Sequence, residues 1–213
     1  MIVDERLIAY INSLNQGENP FLDALEKEAR ASYVPIIRKE MKNFLRVMLK
    51  MQNPKKILEI GTAIGFSALF MAEQVKKDCK ITTIENYDKR IPIALENFKK
   101  ANRQEQIKLI AGDALEVLEK LEDPFDFIFL DAAKGQYCSY LPHLLRLLPE
   151  GGILVSDNVL QEGELMESHF IVERRNRTIH KRMREYLYEI THSQELFTSV
   201  IPLGDGVTVS IRR

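Results

Sequence analysis

The chain has 213 residues, 45% hydrophobic and 29% charged, with a formal net charge of −1. That length can bury one sizeable core, and the neutral balance gives no global electrostatic case for a nucleic-acid or membrane partner. Cys79 and Cys138 are too few and too far apart for a disulfide framework or a metal knuckle, which fits two inert thiols in a reducing cytosol.

Asp4 and Glu5 stand where a signal peptide carries basic residues, and no apolar run approaches bilayer-spanning length. A cytoplasmic protein with no membrane partner is expected. Residues 4–51 read as helices. Leu7, Ile8, Ile11 and Leu14 share one face, and Asn19-Pro20 pairs an N-cap with a first-turn proline. Met41, Phe44, Leu45, Met48 and Leu49 form a further apolar stripe, expected in the core, that Asn53-Pro54 ends.

From Lys56 the pattern alternates. Strands are predicted near 56–60, 80–85, 107–111, 125–130 and 152–156, and helices near 66–76, 89–101, 114–121 and 140–148. That rhythm implies an α/β fold, a parallel sheet with helices on both faces. A long helix near 171–191 follows, then two runs around Gly204-Asp205-Gly206 that predict an antiparallel hairpin. The expectation is a Rossmann-like sheet of about seven strands in a single domain, 1–213, with 1–53 as a helical extension.

The most informative stretch is Ile57–Ser67, an apolar run that passes through Glu59 and ends in Gly61 and Gly65. Such a strand delivers the chain to a tight turn where missing Cβ atoms would let a ligand lie against the backbone. The next apolar run ends in Glu85, where a carboxylate in a doubly wound sheet accepts from ribose hydroxyls. The spacing Gly61-x-x-x-Gly65 is not the G-x-G-x-x-G of dinucleotide folds, which argues against an NAD-dependent oxidoreductase. A negative charge at Glu59 suits a ligand with ammonium and sulfonium groups, which describes S-adenosylmethionine. The E-x-G-x-x-x-G pattern resembles motif I of class I methyltransferases.

Each later strand also ends in an acidic residue: Asp113, Asp131, then Asp157-Asn158. Any one of these reads equally as a helix N-cap, whereas the full set on one sheet edge points to a site. Asp131, Asp157 and Asn158 are oxygen donors with no His or Cys beside them, which selects Mg²⁺, Ca²⁺ or Mn²⁺ over zinc. His169, His180 and His192 lack ligand spacing and read as surface histidines. Lys134 reads as a general base beside the cation or as a solvated loop lysine.

Val34–Ile37, Leu58–Ser67, Gly112–Ala114, Phe129–Tyr137 and Ser156–Asn158 together resemble the metal-dependent O-methyltransferases, the catechol and caffeoyl-coenzyme A group and its bacterial relatives. Within that family the residues are most similar to the bacterial tRNA 5-hydroxyuridine methyltransferases, through Ala132–Tyr137, the arginine-rich run 174–184 and Pro202–Gly206. The resemblance implies cofactor contacts at Ile37, Glu59, Gly61, Ser67, Glu85, Asp113, Ala114 and Asp131. It implies metal ligation by Asp131, Asp157 and Asn158, and Lys134 as the base. Plant members carry small polar residues where this chain has Pro35-Ile36-Ile37, so Ile37 would contact the cofactor only through backbone or packing.

The implied reaction is Mg²⁺-assisted methyl transfer from S-adenosylmethionine to a chelated hydroxyl. The acceptor is 5-hydroxyuridine in a tRNA anticodon loop or a small catechol-like molecule, since both chelate through adjacent oxygens. Residues 173–184 carry six Lys or Arg against one acid. Arg174, Arg175 and Arg177 are candidate phosphate contacts, and a solvated helix face is the other reading. A cofactor-binding module without catalysis is disfavoured by the metal set and Lys134. The N-terminal helices are the expected surface of a homodimer.

Overall fold

A computed structural model describes residues 3–15, 17–168 and 171–213. Three helices come first: α1 (Glu5–Ser13), α2 (Pro20–Ala31) and α3 (Lys39–Gln52). Asn19 caps α2 by accepting from the Leu22 amide, and Asn53 ends α3 in the left-handed region at φ 46°. The alternating part runs β1 (Lys56–Ile60), α4 (Phe66–Gln74), β2 (Lys80–Glu85), α5 (Ile91–Lys100), β3 (Ile107–Ala111), α6 (Ala114–Lys120), β4 (Phe127–Leu130), α7 (Tyr137–Leu147) and β5 (Ile153–Ser156). It closes with α8 (Arg177–His192), β6 (Leu196–Ile201) and β7 (Val207–Arg212).

All seven strands lie in one sheet, in the order β3-β2-β1-β4-β5-β7-β6. Neighbours from β3 to β5 are parallel, and β7 runs antiparallel to both β5 and β6. The chain moves outward from β1 to β3, then returns to place β4 on the other side of β1. In open α/β sheets that reversal opens a crevice beyond the strand ends where ligands bind.

Both faces are covered at the middle of the sheet, so residues of β1, β4 and β5 alternate between two cores rather than between core and water. Ile57, Ile81, Phe127 and Phe129 join the core beneath α2–α5, whereas Leu58, Ile60, Ile128 and Leu130 join the one beneath α6–α8. Glu59 has the parity of Ile57, so its carboxylate points into the first core.

Three local expectations change, in two helix starts and at His180. The helix predicted at 171–191 begins at Arg177, because 171–176 form turns tied by Asn176 N to Glu173 O and Arg177 Nε to Val172 O. The helix predicted at 140–148 begins earlier, because a one-turn 3-10 helix at Lys134–Gln136 leads directly into a stripe of buried Tyr137, Tyr140, Leu141, Leu144 and Leu147. Helix α1 buries none of its residues, and Leu7, Ile11 and Leu14 stay exposed. His180 is buried, not a surface histidine, because it shares the packed face of α8 with Met183, Tyr186 and Ile190; His169 lies outside the described residues. Among the described residues, no helix is long and apolar enough to cross a membrane.

Candidate active site

A cavity of about 360 Å³ opens at the crevice, walled by Ile37, Gly61, Ser67, Glu85, Ala114 and Asp131 among others. That is the lower end of the range for small-molecule sites. The turn after β1 is folded against β2, with the Gly61 and Thr62 amides both donating to Ile84 O at 3.1 and 3.2 Å. Gly61 and Gly65 have φ of +105° and +85°. A Cβ on Gly61 would stand 2.0 Å from the Asp131 carbonyl oxygen, and one on Gly65 would stand 2.4 Å from the Phe98 ring. The direction a Cβ would take is thus filled at Gly61 by the residue just past β4 and at Gly65 by α5, while Gly61 still lines the cavity.

Glu85 closes one end of the cavity. Its Oε2 accepts from the Ala63 amide at 2.7 Å, and its Oε1 from the amides of Asn86 and Tyr87 at 3.1 and 2.9 Å. A carboxylate offers about four acceptor positions, so the side chain is oriented by backbone with an acceptor position left on Oε2. Tyr87, Arg90 and Tyr140 also line this cavity, and the Arg90 guanidinium lies 5.3 Å from the centre of the Tyr87 ring. Sequence reasoning missed all three, although Tyr87 stands two residues after Glu85.

Glu59 differs from the fixed negative charge expected of it near the loop. It is fully buried. Its Oε2 accepts from Thr83 Oγ1 at 2.5 Å, and Oε1 has no hydrogen-bond partner among the described residues. Burial, with smaller contributions from the charges of Asp131 and Glu85, pushes its pKa up to about 7 against the pull of Ser67 and Thr83. Asp113 is exposed and caps α6, its Oδ1 accepting from the Leu115 and Glu116 amides at 2.9 and 3.4 Å.

The ends of β4 and β5 are held in register by Asp131 N donating to Ile60 O and Asp157 N to Leu130 O. Behind them the buried Tyr137 hydroxyl stands 3.1 Å from Asp157 O and 3.4 Å from Leu130 O, its ring packed edge-on against Tyr186. This brings Asp131, Asp157 and Asn158 to one corner. Burial raises the pKa of both aspartates, and the charge of Asp131 raises Asp157 further. Two carboxylates that resist joint ionisation, beside a carboxamide, are donors suited to a hard cation. Among the described residues no group of three or more His, Cys, Asp or Glu is placed to hold a metal ion.

Ala132 and Ala133 also wall a second cavity, of about 700 Å³, on the far side of the loop. Lys134 lies in it, its Nζ 3.1 Å from Oδ2 of Asp205 in the turn between β6 and β7. Arg182 Nη1 donates to Gly135 O at 2.9 Å, pinning α8 over this loop. Arg184 donates to Leu165 O and Arg177 to Val172 O. Of the expected phosphate contacts, Arg177 is thus committed to the protein's own backbone, whereas Arg174 and Arg175 are exposed, the latter paired with exposed Glu173.

With this geometry in place, the chain matches a family model described as O-methyltransferase over residues 12–213. It is 30% identical to a caffeoyl-CoA O-methyltransferase of Populus kitakamiensis, over 95% of this chain and 91% of that protein. It is 29% identical to a catechol O-methyltransferase of Niastella koreensis, over 78% of this chain and 71% of that one. An SAH-bound methyltransferase of Podospora anserina superposes with a TM-score of 0.88 at 27% identity, covering 98% of this chain and 94% of that one.

Proposed function

Because the chain belongs to the O-methyltransferase family, we propose that this S-adenosylmethionine-dependent enzyme methylates 5-hydroxyuridine at the wobble position of tRNA, giving 5-methoxyuridine. The observation that supports this acceptor is the second cavity, which shares the Ala132-Ala133 wall with the cofactor cavity and is lined by Gln136, Gln161, Glu164 and Asn176 among others. Side chains that can donate and accept suit a hydrogen-bonding base. The exposed Arg174 and Arg175, which directly precede Asn176 of its wall, suit phosphates.

The cofactor, when bound, supplies an electrophilic methyl group on sulfur. Asp131, Asp157 and Asn158 fit a divalent cation of the Mg²⁺ type, since two buried, mutually repelling carboxylates and a carboxamide are hard oxygen donors. Such an ion would supply Lewis acidity, lowering the pKa of a chelating hydroxyl. The chain's own groups do the remaining work. Glu85, already oriented by three amides, accepts from the ribose. Tyr137 keeps the ends of β4 and β5 together, which fixes Asp131 relative to Asp157. Lys134, held by Asp205 just past the shared wall, takes the proton of the hydroxyl.

A second reading, a small catechol-type acceptor, is favoured by the names of the Populus and Niastella relatives, and adjacent chelating oxygens serve it equally. Mass spectrometry of tRNA nucleosides from cells lacking the protein separates the two. Loss of 5-methoxyuridine with build-up of 5-hydroxyuridine is expected, and an unchanged nucleoside profile would leave the catechol reading. The exposed Leu7, Tyr10 and Leu14 of α1 and its C-cap support a homodimer, which sedimentation of the wild type against Leu14→Glu tests.

A further inference from the structure

The loop after β5 contains strain with no evident structural purpose. Asn158 and Gln161 have φ of +58° and +48°. Asparagine tolerates the left-handed region, whereas glutamine is strained there. The loop is held there by Val159 N donating to Gly206 O at 3.0 Å and Leu160 N to Asp205 O at 2.9 Å, so the hairpin turn dictates its course. The effect is to set the Gln161 side chain in the lining of the second cavity.

Several polar side chains of that lining are already engaged. Lys134 pairs with Asp205, Asn176 Nδ2 lies 3.4 Å from both Glu164 oxygens, and Arg182 donates to Gly135 O. By contrast Gln161 Oε1 is buried from solvent and accepts no hydrogen bond among the described residues. A buried acceptor without a donor is costly, and the terminal torsion of glutamine is soft enough to turn the oxygen toward an incoming donor.

We propose that Gln161 is a specificity-determining residue: it accepts a ring N–H that lies next to the carbonyl of a hydroxyl–carbonyl chelating pair. This rests on the reading that the enzyme methylates a chelating hydroxyl, and it narrows the acceptor to a hydroxylated cyclic amide, the pattern of 5-hydroxyuracil. A catechol presents C–H at that position and leaves Oε1 unpaired. A site built to hydrogen-bond a donor rejects analogues that lack it more sharply than an apolar pocket rejects an extra methylene.

The test compares three ligands by calorimetry, on protein loaded with Mg²⁺ and S-adenosylhomocysteine: 3-hydroxypyridin-2(1H)-one, its N-methyl derivative, and catechol. The wild type is expected to bind the N–H ligand roughly tenfold more tightly than the N-methyl one. In Gln161→Met, which keeps length and removes the acceptor, that preference disappears while catechol affinity holds; Gln161→Leu serves if the methionine variant does not fold. Equal binding of the two pyridinones by the wild type would overturn the proposal. So would a preference that survives in the variant, which marks simple crowding by the methyl group, or a parallel loss of catechol binding, which marks a structural role. A preference found and abolished as expected, together with an unchanged tRNA nucleoside profile, would uphold Gln161 and remove only the RNA acceptor.

Discussion

Lys134 and Asp205 meet across 71 residues of sequence, Nζ to Oδ2 at 3.1 Å, joining the loop after β4 to the turn that starts β7. Asp205 is buried and Lys134 only partly so, so the carboxylate is the fixed member and the amine the positioned one. An amine donating to a carboxylate at this distance cannot at the same time offer its lone pair in that direction. Asp205 therefore governs where Lys134 can face the acceptor.

If that is its role, Asp205→Asn and Lys134→Met each slow methylation by about tenfold or more, and the double variant is no slower than the worse single one. Single-turnover rates on the three proteins check this. Fully additive losses would mean that the two residues act independently.

Glu59 makes ligand-free stability depend on pH. Its folded pKa is raised from 4.5 to about 7. Its favourable share of stability is therefore fully present below pH 4.5 and lost as pH rises through 7. The gap is worth roughly 3 kcal/mol at most. Glu59→Gln cannot ionise, so its stability relative to wild type should grow between about pH 5 and pH 8. Urea titrations at the two pH values measure this, and a constant difference would mean that Glu59 does not titrate in that range.

Asp157→Ala removes one of the two carboxylates offered to a cation and leaves the Glu85 end of the crevice intact. Methylation that EDTA inhibits in the wild type should be lost, while S-adenosylmethionine affinity, read by calorimetry, changes less than about threefold. Full wild-type activity in excess EDTA would end the metal proposal.

The arginine strip needs a different test from the one its sequence suggests, because Arg177 is bonded to Val172 O. Charge removal belongs at Arg174, Arg175 and Lys181, which are exposed. If these hold phosphates, the slope of log affinity for tRNA against log salt flattens by about 0.7–0.9 for each phosphate no longer neutralised. Binding of free 5-hydroxyuridine should be untouched. An unchanged slope would assign the strip to solvent.

The strand ends and their carboxylates are legible in the sequence because hydrophobic runs and acidic stops are local features. Glu59 is misleading for a specific reason. In β1, at the middle of a sheet covered on both faces, Ile57 to Ile60 are all buried, so the pattern Ile57-Leu58-Glu59-Ile60 does not reveal which core the glutamate enters. Asp205 reads as a turn residue, since its partner is supplied by a distant loop. His180 lies on a helical face whose burial depends on Met183 and Tyr186 packing beneath α8, and a lone polar residue on that face carries no sign of it. The shared face of Leu7, Ile11 and Leu14 is legible as a helical period, but its exposure is not, since the same period serves a core face and an open one.

The contact between Gly61 and the Asp131 carbonyl has a thermodynamic consequence. The Gly61 turn lies directly against the backbone of Asp131 and Ala132, so there is little compressible material there to absorb a displacement. A shift of the turn on filling the first cavity is passed to the wall of the second through backbone alone. The two ligands should then bind with a non-zero coupling free energy. By reciprocity, the factor by which cofactor changes acceptor affinity equals the factor by which acceptor changes cofactor affinity.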